Sequence, residues 1–481
     1  MSGQISRQVF VRRALGGLAG AVLLSSCRQA TPHAVSSPVP PDWTALGARL
    51  DGALILPSDA QYGAAKSIFN ARFNGSTPAA VLSAASVADV QKALAFASEN
   101  HIGVSVRSGG HSYIGASSLD ATLVVDLRRL PGGVDVGNDQ VTLSPATDLD
   151  SVQTQLASHQ RSIPSGSCPT VGVAGLALGG GLGSDARLHG LTCDALVSAA
   201  LVLPTGEMVT ASPDDHPDVF WALRGGGGGN LGVVTSLTFH AFPVSDRDVV
   251  TLTFPMETAA AVIAGWQDWQ SAADRNVWGM VNLTVGDGPG RCTVILATPS
   301  GSGPAVAGDM LSTAGLSALS TRTRTLNRID FVHYFEGGDD ALAPRAFVAG
   351  SDIVGEMTSA AAESIVTAMS AWPVCAGSAT AVIESLSGAV SDVDPAGSAF
   401  PWRRQAASVQ WYTESTADSA AGWLTAAHHA LGPTSVGGYI NYPEAGQPLA
   451  RYLGPNLQRF NAIRQKYDPA AVMRSGIGTG G

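Results

Sequence analysis

From Pro164 to Gly183 the chain reads PSGSCPTVGVAGLALGGGLG, twenty residues with seven glycines, one cysteine and no side chain larger than leucine. A packed core would want bulkier residues. Glycine has no Cβ to hold a neighbour away, so the stretch is suited to laying backbone against a large flat ligand. A second such segment, Gly225 to Val234 (GGGGGNLGVV), is bracketed by Phe220, Trp221 and a strand running to Phe239. That tight bracketing favours a ligand-facing role over an idle linker.

Glycine-rich runs first suggest a dinucleotide fingerprint, and Gly181-Leu182-Gly183-Ser184-Asp185-Ala186 fits G-x-G-x-x-A. The fingerprint should follow a β-branched strand, but Ala174 to Leu178 is small and featureless, and the clear strand, Ala195 to Leu203, comes afterwards. A nicotinamide dehydrogenase built on this motif is therefore a rival reading, and such an enzyme would purify colourless.

The glycine stretch pairs better with Val104 to Ser118, VSVRSGGHSYIGASS. A strand from Ile102 to Val106 runs into a Ser-Gly-Gly-His-Ser turn, whose successive N–H groups can form an anion-binding concavity for a pyrophosphate. His111 then sits beside the ligand. Together these motifs resemble the berberine bridge enzyme-like family of the vanillyl alcohol oxidase superfamily, whose FAD-binding module is of the PCMH type. The C-terminal YINYPEAGQP, RYLGPNLQRFNAIRQKYDP and RSGIG resemble the same family. The resemblance spans roughly 62–239 and 439–478, with the middle weakly covered.

The resemblance implies bicovalent FAD, with His111 on the flavin 8α-methyl and Cys168 on ring carbon C6. It further implies cofactor contacts from Arg107, Ser108, Gly109, Gly110, Ser112, Thr170, Val171, Gly172, Gly175, Gly232, Val234, Asn441 and Asn456, and no metal. The implied reaction oxidises an alcohol: hydride passes to flavin N5 while a base takes the hydroxyl proton. Tyr439 and Tyr442 match the family's tyrosine pair, with Tyr442 as base and Tyr439 as its hydrogen-bond partner. Periodicity alone reads them as strand tyrosines alternating with Ile440. A phenol, with a reference pKa of about 10, is a poor base unless nearby positive charge or hydrogen bonding stabilises the phenolate. No lysine lies nearby in sequence, so help has to come from tertiary contacts. Gln410 is the implied substrate-facing polar group, or otherwise a solvated strand position. Val171 implies an oxidase that admits O2 and forms hydrogen peroxide; the alternatives are a dehydrogenase with another acceptor and a non-catalytic surface binding protein. Three departures stand out: Arg403 after Trp402 where relatives have a His-Arg pair, Leu176 in place of a histidine, and Ser184 with Asp185 in place of an aromatic. The expected substrate is a small-molecule alcohol or carbohydrate, and the expected state a monomer.

A net charge of -10 and the lack of Lys and Arg interleaved with aromatics disfavour a nucleic-acid partner. At the N-terminus, Arg7, Arg12 and Arg13 precede an apolar run, Ala14 to Leu24, too short to span a membrane. Residues 1–26 read as a signal peptide. Arg12-Arg13 resembles a twin-arginine signal and Leu24-Ser25-Ser26-Cys27 a lipobox ending in an acylated cysteine. A protein that folds around a covalent flavin before export would need the twin-arginine route. The expected location is the outer face of a bacterial membrane, reached only through a lipid anchor at Cys27, or else secretion. Of the remaining cysteines, Cys193 reads as a small buried hydrophobe, and Cys292 with Cys375 is the one pair worth testing for a disulfide.

After a flexible tether over 27–42, the pattern predicts an α+β protein. It has an FAD-binding domain of two subdomains over 43–244, an antiparallel-sheet substrate domain covered by helices over 245–434, and a return to the FAD domain over 435–481. Predicted helices include Val87 to Glu99, Ser151 to Ala157, Met256 to Ala273, Glu363 to Trp372 and Pro455 to Tyr467. Predicted strands in the second domain are Asp248 to Phe254, Val277 to Val285, Cys292 to Ala297, Ala379 to Ser385 and Ala406 to Tyr412, with a weaker one at Ile353-Val354.

Overall fold

The computed structural model describes residues 40–478 except 287, 336–341, 374–375 and 416–417. The signal sequence, Cys27, nearly all of the tether, and Cys375 with its suggested pairing to Cys292 lie outside the described residues.

Three sheets carry the α+β fold. In the first, the strands Ala80–Ser83, Leu123–Asp126 and Val104–Arg107 run parallel, and Ala53–Ile55 adds an antiparallel edge. Leu123–Asp126 is buried at every position, as a central parallel strand must be. The crossover helix Val87–Glu99 begins where Ser86 accepts a hydrogen bond from Asp89 N–H, and Val90, Ala93, Leu94 and Ala97 lie buried along it at helical spacing. The second sheet is antiparallel, in the order Val134–Val136, Gln140–Leu143, Val233–His240, Leu196–Val202, Met208–Ala211. Val202 and Val233 share one apolar cluster with Leu82, Leu94 and Leu123, which welds the first two sheets together.

The third sheet has eight antiparallel strands, in the order Ser320–Leu326, Arg247–Pro255, Arg291–Pro299, Trp278–Val285, Ala379–Ser385, Ala407–Thr413, Val348–Val354, Ser435–Gly437. The helices Ala259–Ala272, Gly303–Ala314, Ser359–Ser370 and Asp418–Leu431 contribute, with the sheet, to one large apolar core that includes Trp266, Trp411 and Trp423. The period-two alternation of a strand turns other residues away from that core. Met280, Asn282, Val382, Glu384, Gln410 and Tyr412 all line a cavity, and the register pairs Met280 with Glu384 and Val382 with both Asn282 and Gln410.

The chain's end comes back to the first sheet. Val104 N–H donates to Val472 O and Arg474 N–H to Val104 O, both at 2.8 Å, while Met473 is fully buried in the first sheet's cluster.

Some elements differ from the sequence reading. Tyr439 and Tyr442 lie in a turn rather than a strand, closed by Tyr442 N–H to Tyr439 O at 2.8 Å. The strand Ser320–Leu326 and the helices Gly303–Ala314 and Asp418–Leu431 were not anticipated. That strand, STRTRTL, is an exposed edge on both faces, so it carries no apolar alternation to read. The Gly181 motif does not open a Rossmann unit either: it follows the short helix Val173–Leu178, and the parallel strands of the molecule all precede it.

Candidate active site

A cavity of about 570 Å³ lies between the glycine segments and the open face of the eight-stranded sheet. Its bed is backbone. Gly109 and Gly172 pack on one another so closely that a Cβ on either would overlap its partner's main chain. At Gly175 a Cβ would meet nothing within 4 Å, and at Gly228 only Leu178, so both glycines border open space. Such a bed suits a flat ligand.

His111 stands at the side of this bed. Its ring stacks on Phe69 with centroids 3.9 Å apart and planes 22° apart, and its Nε2 lies 2.9 Å from Thr170 Oγ1. Burial pushes the imidazole down to about 4, against which a hydrogen bond to the Thr170 backbone acts only in part, so the ring is neutral at ordinary pH. Cys168 lines the same cavity and is partly exposed.

The C-terminal turn delivers the tyrosines. Tyr439 is buried, and its phenol oxygen accepts hydrogen bonds from Gly181 N–H (2.8 Å), Leu182 N–H (3.1 Å) and Asn441 Nδ2 (3.0 Å). The ring of Tyr442 stands edge-on to that of Tyr439 at 4.9 Å and stacks on that of Tyr113 at 5.4 Å. Gln410 Nε2 donates to Tyr113 Oη at 2.5 Å. Ser351 fixes the turn from the sheet side: its Oγ accepts from Tyr439 N–H at 2.9 Å and donates to Tyr442 O at 3.3 Å.

The tertiary contacts around Tyr442 do not favour its phenolate. Burial raises its pKa well above the ordinary phenol value, and the nearby negative charge of Glu384 raises it further. Glu384 is 8 % exposed, lines the cavity and has no hydrogen-bond partner among the described residues. Burial alone pushes its carboxyl up to about 7. The group titrating near neutrality is thus a carboxylate rather than a phenol.

Most of the residues named from sequence come together on this cavity: Ser108, Gly109, Gly110, His111, Ser112, Cys168, Val171, Gly172, Gly175, Gly232, Val234, Gln410, Tyr439, Asn441 and Tyr442 all line it. Three do not. Arg107 is fully buried behind the turn, where four of the five guanidinium N–H groups donate, to the carbonyls of Ala65, Lys66 and Ser117 and to Asp126, so the side chain serves the turn from off the cavity. Asn456 spends its amide on the carbonyls of Pro395 and Ser398. Thr170 is off the cavity wall and meets His111 instead. Among the departures, Leu176 and Ser184 line the cavity, Asp185 is drawn away into a buried ion pair with Arg328 at 2.8 Å, and Arg403 is sealed against Asp194 at 2.6 Å.

Sequence reasoning missed Glu384, Tyr113 and Asn282. A carboxylate in the apolar strand Ala379–Ser385, in register with Val382, was the available signal for the first. Tyr113, two residues after His111, carries no motif role of its own in the sequence. Asn282 has a buried Oδ1 with no partner in the structure.

Comparison with known proteins agrees with this architecture. An FAD binding domain family matches residues 78–212. The uncharacterized FAD-linked oxidoreductase YgaK of Bacillus subtilis is 28% identical over 441 residues, covering 89% of this chain and 96% of its own length. A chitooligosaccharide oxidase of Gibberella zeae is 26% identical over 440 residues, covering 83% of this chain and 86% of its own. The structure of a glucooligosaccharide oxidase from Acremonium strictum, described as carrying a 6-S-cysteinyl, 8α-N1-histidyl FAD, superposes with a TM-score of 0.82 at 22% identity, over 90% of this chain and 98% of its own. With the glycine bed, the histidine and cysteine at its edge and the tyrosine turn in place, the chain carries an FAD binding domain and is similar along most of its length to FAD-linked oxidoreductases.

Proposed function

We propose that the protein is an FAD-dependent alcohol oxidase whose flavin is bonded through His111 at the 8α position and through Cys168 at C6. The observation that carries this reading is a shared cavity: both side chains line the space that also receives Tyr442, Gln410 and Glu384. The residues present fit the cofactor, because the glycine bed leaves room for a flat ring and the Ser108 to Ser112 turn borders it. FAD, when bound, supplies the acceptor for the hydride leaving the substrate carbon.

The chain's own residues handle the proton. Tyr442 takes the hydroxyl proton of the substrate, and Glu384, which lines the same cavity without a hydrogen bond to Tyr442, is the carboxylate with a pKa of about 7 on which a proton comes to rest, so it provides the basicity a buried phenol lacks. Tyr439, held by three donors, keeps the turn that carries Tyr442 against the glycine bed. Gln410 is anchored through Tyr113 and orients the substrate.

A hydroxyl-rich substrate, a carbohydrate rather than an apolar alcohol, suits the cavity. Asn282 Oδ1 is buried without a partner and Glu384 has none, so both call for hydrogen bonds from a ligand, while Trp278, Phe347 and Tyr412 offer ring faces. The chitooligosaccharide and glucooligosaccharide oxidases among its relatives are named for such substrates. Val171 lines the cavity, which supports access of O2 and release of hydrogen peroxide. Export on a twin-arginine signal with a lipid anchor at Cys27, and a monomeric state, complete the proposal. No helix among the described residues is long and apolar enough to cross a membrane.

The test is colour after denaturation. Protein precipitated in acid should keep its yellow flavin, with flavin mass on the peptides bearing His111 and Cys168; a colourless pellet with all flavin in the supernatant contradicts the bicovalent reading.

A further inference from the structure

His111 is held from two directions. The stack on Phe69 sets the plane of the ring, and Thr170 Oγ1, 2.9 Å from Nε2, engages one of its two nitrogens. Thr170 reaches the ring because the two loops touch through glycines. Gly109 packs on Gly172, and a Cβ at Gly109 would also lie 2.9 Å from the Thr170 carbonyl. The turn that carries Thr170 is closed by Val171 N–H donating to Cys168 O at 3.3 Å, and it is tied to the helix Leu149–Ser158 by Leu149 N–H donating to Val171 O at 3.0 Å. One tight turn therefore presents Cys168 to the cavity and the Thr170 hydroxyl to His111.

A neutral imidazole has one N–H and one lone pair, and the partner of one nitrogen decides which atom carries which. With Nε2 engaged by Thr170, Nδ1 is the nitrogen left for another partner. We propose that Thr170 is a positioning residue for flavin attachment: its hydroxyl accepts Nε2–H of His111, keeps the lone pair on Nδ1, and so selects Nδ1 as the atom that bonds the flavin 8α-carbon. The inference rests on the reading above that His111 carries the flavin.

The step balances. The Nδ1 lone pair forms the new N–C bond, while one hydrogen leaves the 8α-methyl carbon and one leaves Nε2. Both end on the isoalloxazine with the electron pair, so the ring emerges reduced by two electrons. Dioxygen then takes two electrons and two protons and departs as hydrogen peroxide. Thr170 serves on both sides of the step. Its oxygen accepts Nε2–H beforehand, and its O–H donates to the Nε2 lone pair afterwards. Serine keeps both abilities; valine and alanine keep neither.

The experiment compares flavin on two peptides of the full chain, expressed with FAD and digested: the one bearing position 111 and the one bearing position 168. Wild type and Thr170→Ser should carry flavin on both. Thr170→Val should carry at least tenfold less on the His111 peptide while the Cys168 peptide keeps its flavin, and Thr170→Ala, which packs differently, provides the same comparison if the valine variant does not fold. Wild-type occupancy of the His111 peptide in a folded valine or alanine variant overturns the inference. Equal loss from both peptides also overturns it, because Thr170 would then hold the turn and not the imidazole. Wild-type protein with no flavin on His111 fails at an earlier point, since it overturns the attachment reading itself and the inference with it.

Discussion

The phenol oxygen of Tyr439 lies 2.8 Å from the backbone nitrogen of Gly181, and so joins the last segment of the chain to the middle of the glycine bed. Leu182 N–H and Asn441 Nδ2 converge on the same oxygen at 3.1 and 3.0 Å. A phenol with three donors aimed at it has no lone pair to spare for a substrate, so in the proposed reaction Tyr439 is a strut and Tyr442 the group free to react. Tyr439→Phe leaves two backbone N–H groups without their acceptor, at a cost of about 1–3 kcal/mol each. Urea denaturation should therefore show a loss of about 2–6 kcal/mol in stability, together with lower turnover.

In the proposed reaction Glu384 sets the pH profile. Its carboxyl is pushed up to about 7 by burial, so the fraction able to receive a proton grows as pH rises through that value. Turnover of the wild type should climb between pH 6 and pH 8 (a range of about one unit on either side of that pKa), and Glu384→Gln should lose that limb along with at least about a hundredfold of its rate, the size typical of a lost general base. The sign for stability is the opposite. A folded pKa above the unfolded value means that the contribution is complete below the unfolded pKa and is lost as pH rises through about 7. Glu384→Gln should accordingly be more stable than wild type at alkaline pH, by up to about 3 kcal/mol. An enzyme made slower yet more stable by one substitution is a signature that simple disruption of packing does not produce.

Behind the tyrosine turn lies a buried ion cluster. His428 Nδ1 is 2.7 Å from Asp352 and its Nε2 2.8 Å from Glu444, while Arg451 reaches Asp352 at 2.9 Å. Burial opposes the charged imidazole, but the hydrogen bonds to the two carboxylates outweigh it and raise His428 to about 9. Asp352, where burial is likewise outweighed by His428 and Arg451, is lowered to about 2. The His428 contribution is complete below its unfolded pKa and is lost as pH rises through about 9; the Asp352 contribution is present above its unfolded pKa and is lost as pH falls through about 2. Thermal melts of the wild type should decline between neutral pH and the alkaline range, whereas His428→Gln should start lower and decline less.

Much of the cavity lining was legible because His111 and Cys168 sit in contiguous motifs. RSGGHS and CPTVG each place a reactive side chain within a few residues of the glycines that let a ligand approach, so local sequence carries the geometry. Glu384 was not legible in this way. In the strand ATAVIES it is an ordinary polar position until the pairing of Met280 with Glu384 turns it toward the cavity. Arg107 and Asn456 show the reverse failure. Their motif membership suggested cofactor contacts, but their donors are absorbed by carbonyls such as those of Ala65 and Ser398, which no local pattern encodes. The helix Asp418–Leu431 escaped notice because alanine, glycine and threonine fill much of it, leaving little apolar contrast, and His428 with its cluster escaped with it.

Val171 tests the oxidase assignment separately from the alcohol chemistry. It lines the cavity next to Gly172, and a longer side chain there would narrow the approach of O2. Val171→Leu should slow reoxidation by O2 by about tenfold or more, equivalent to about 1.4 kcal/mol of barrier, while reoxidation by a soluble quinone stays within about twofold.

The most direct test of the account is a single turnover followed by its reversal in air. Wild-type enzyme mixed anaerobically with an oligosaccharide should bleach its flavin, then regain colour on admission of O2 with one hydrogen peroxide released per flavin, while Tyr442→Phe should bleach at least about a hundredfold more slowly, as expected for loss of a proton-transfer group. Flavin that stays yellow with every sugar and alcohol tried, or bleaches at the same rate in the Tyr442→Phe variant, would contradict it.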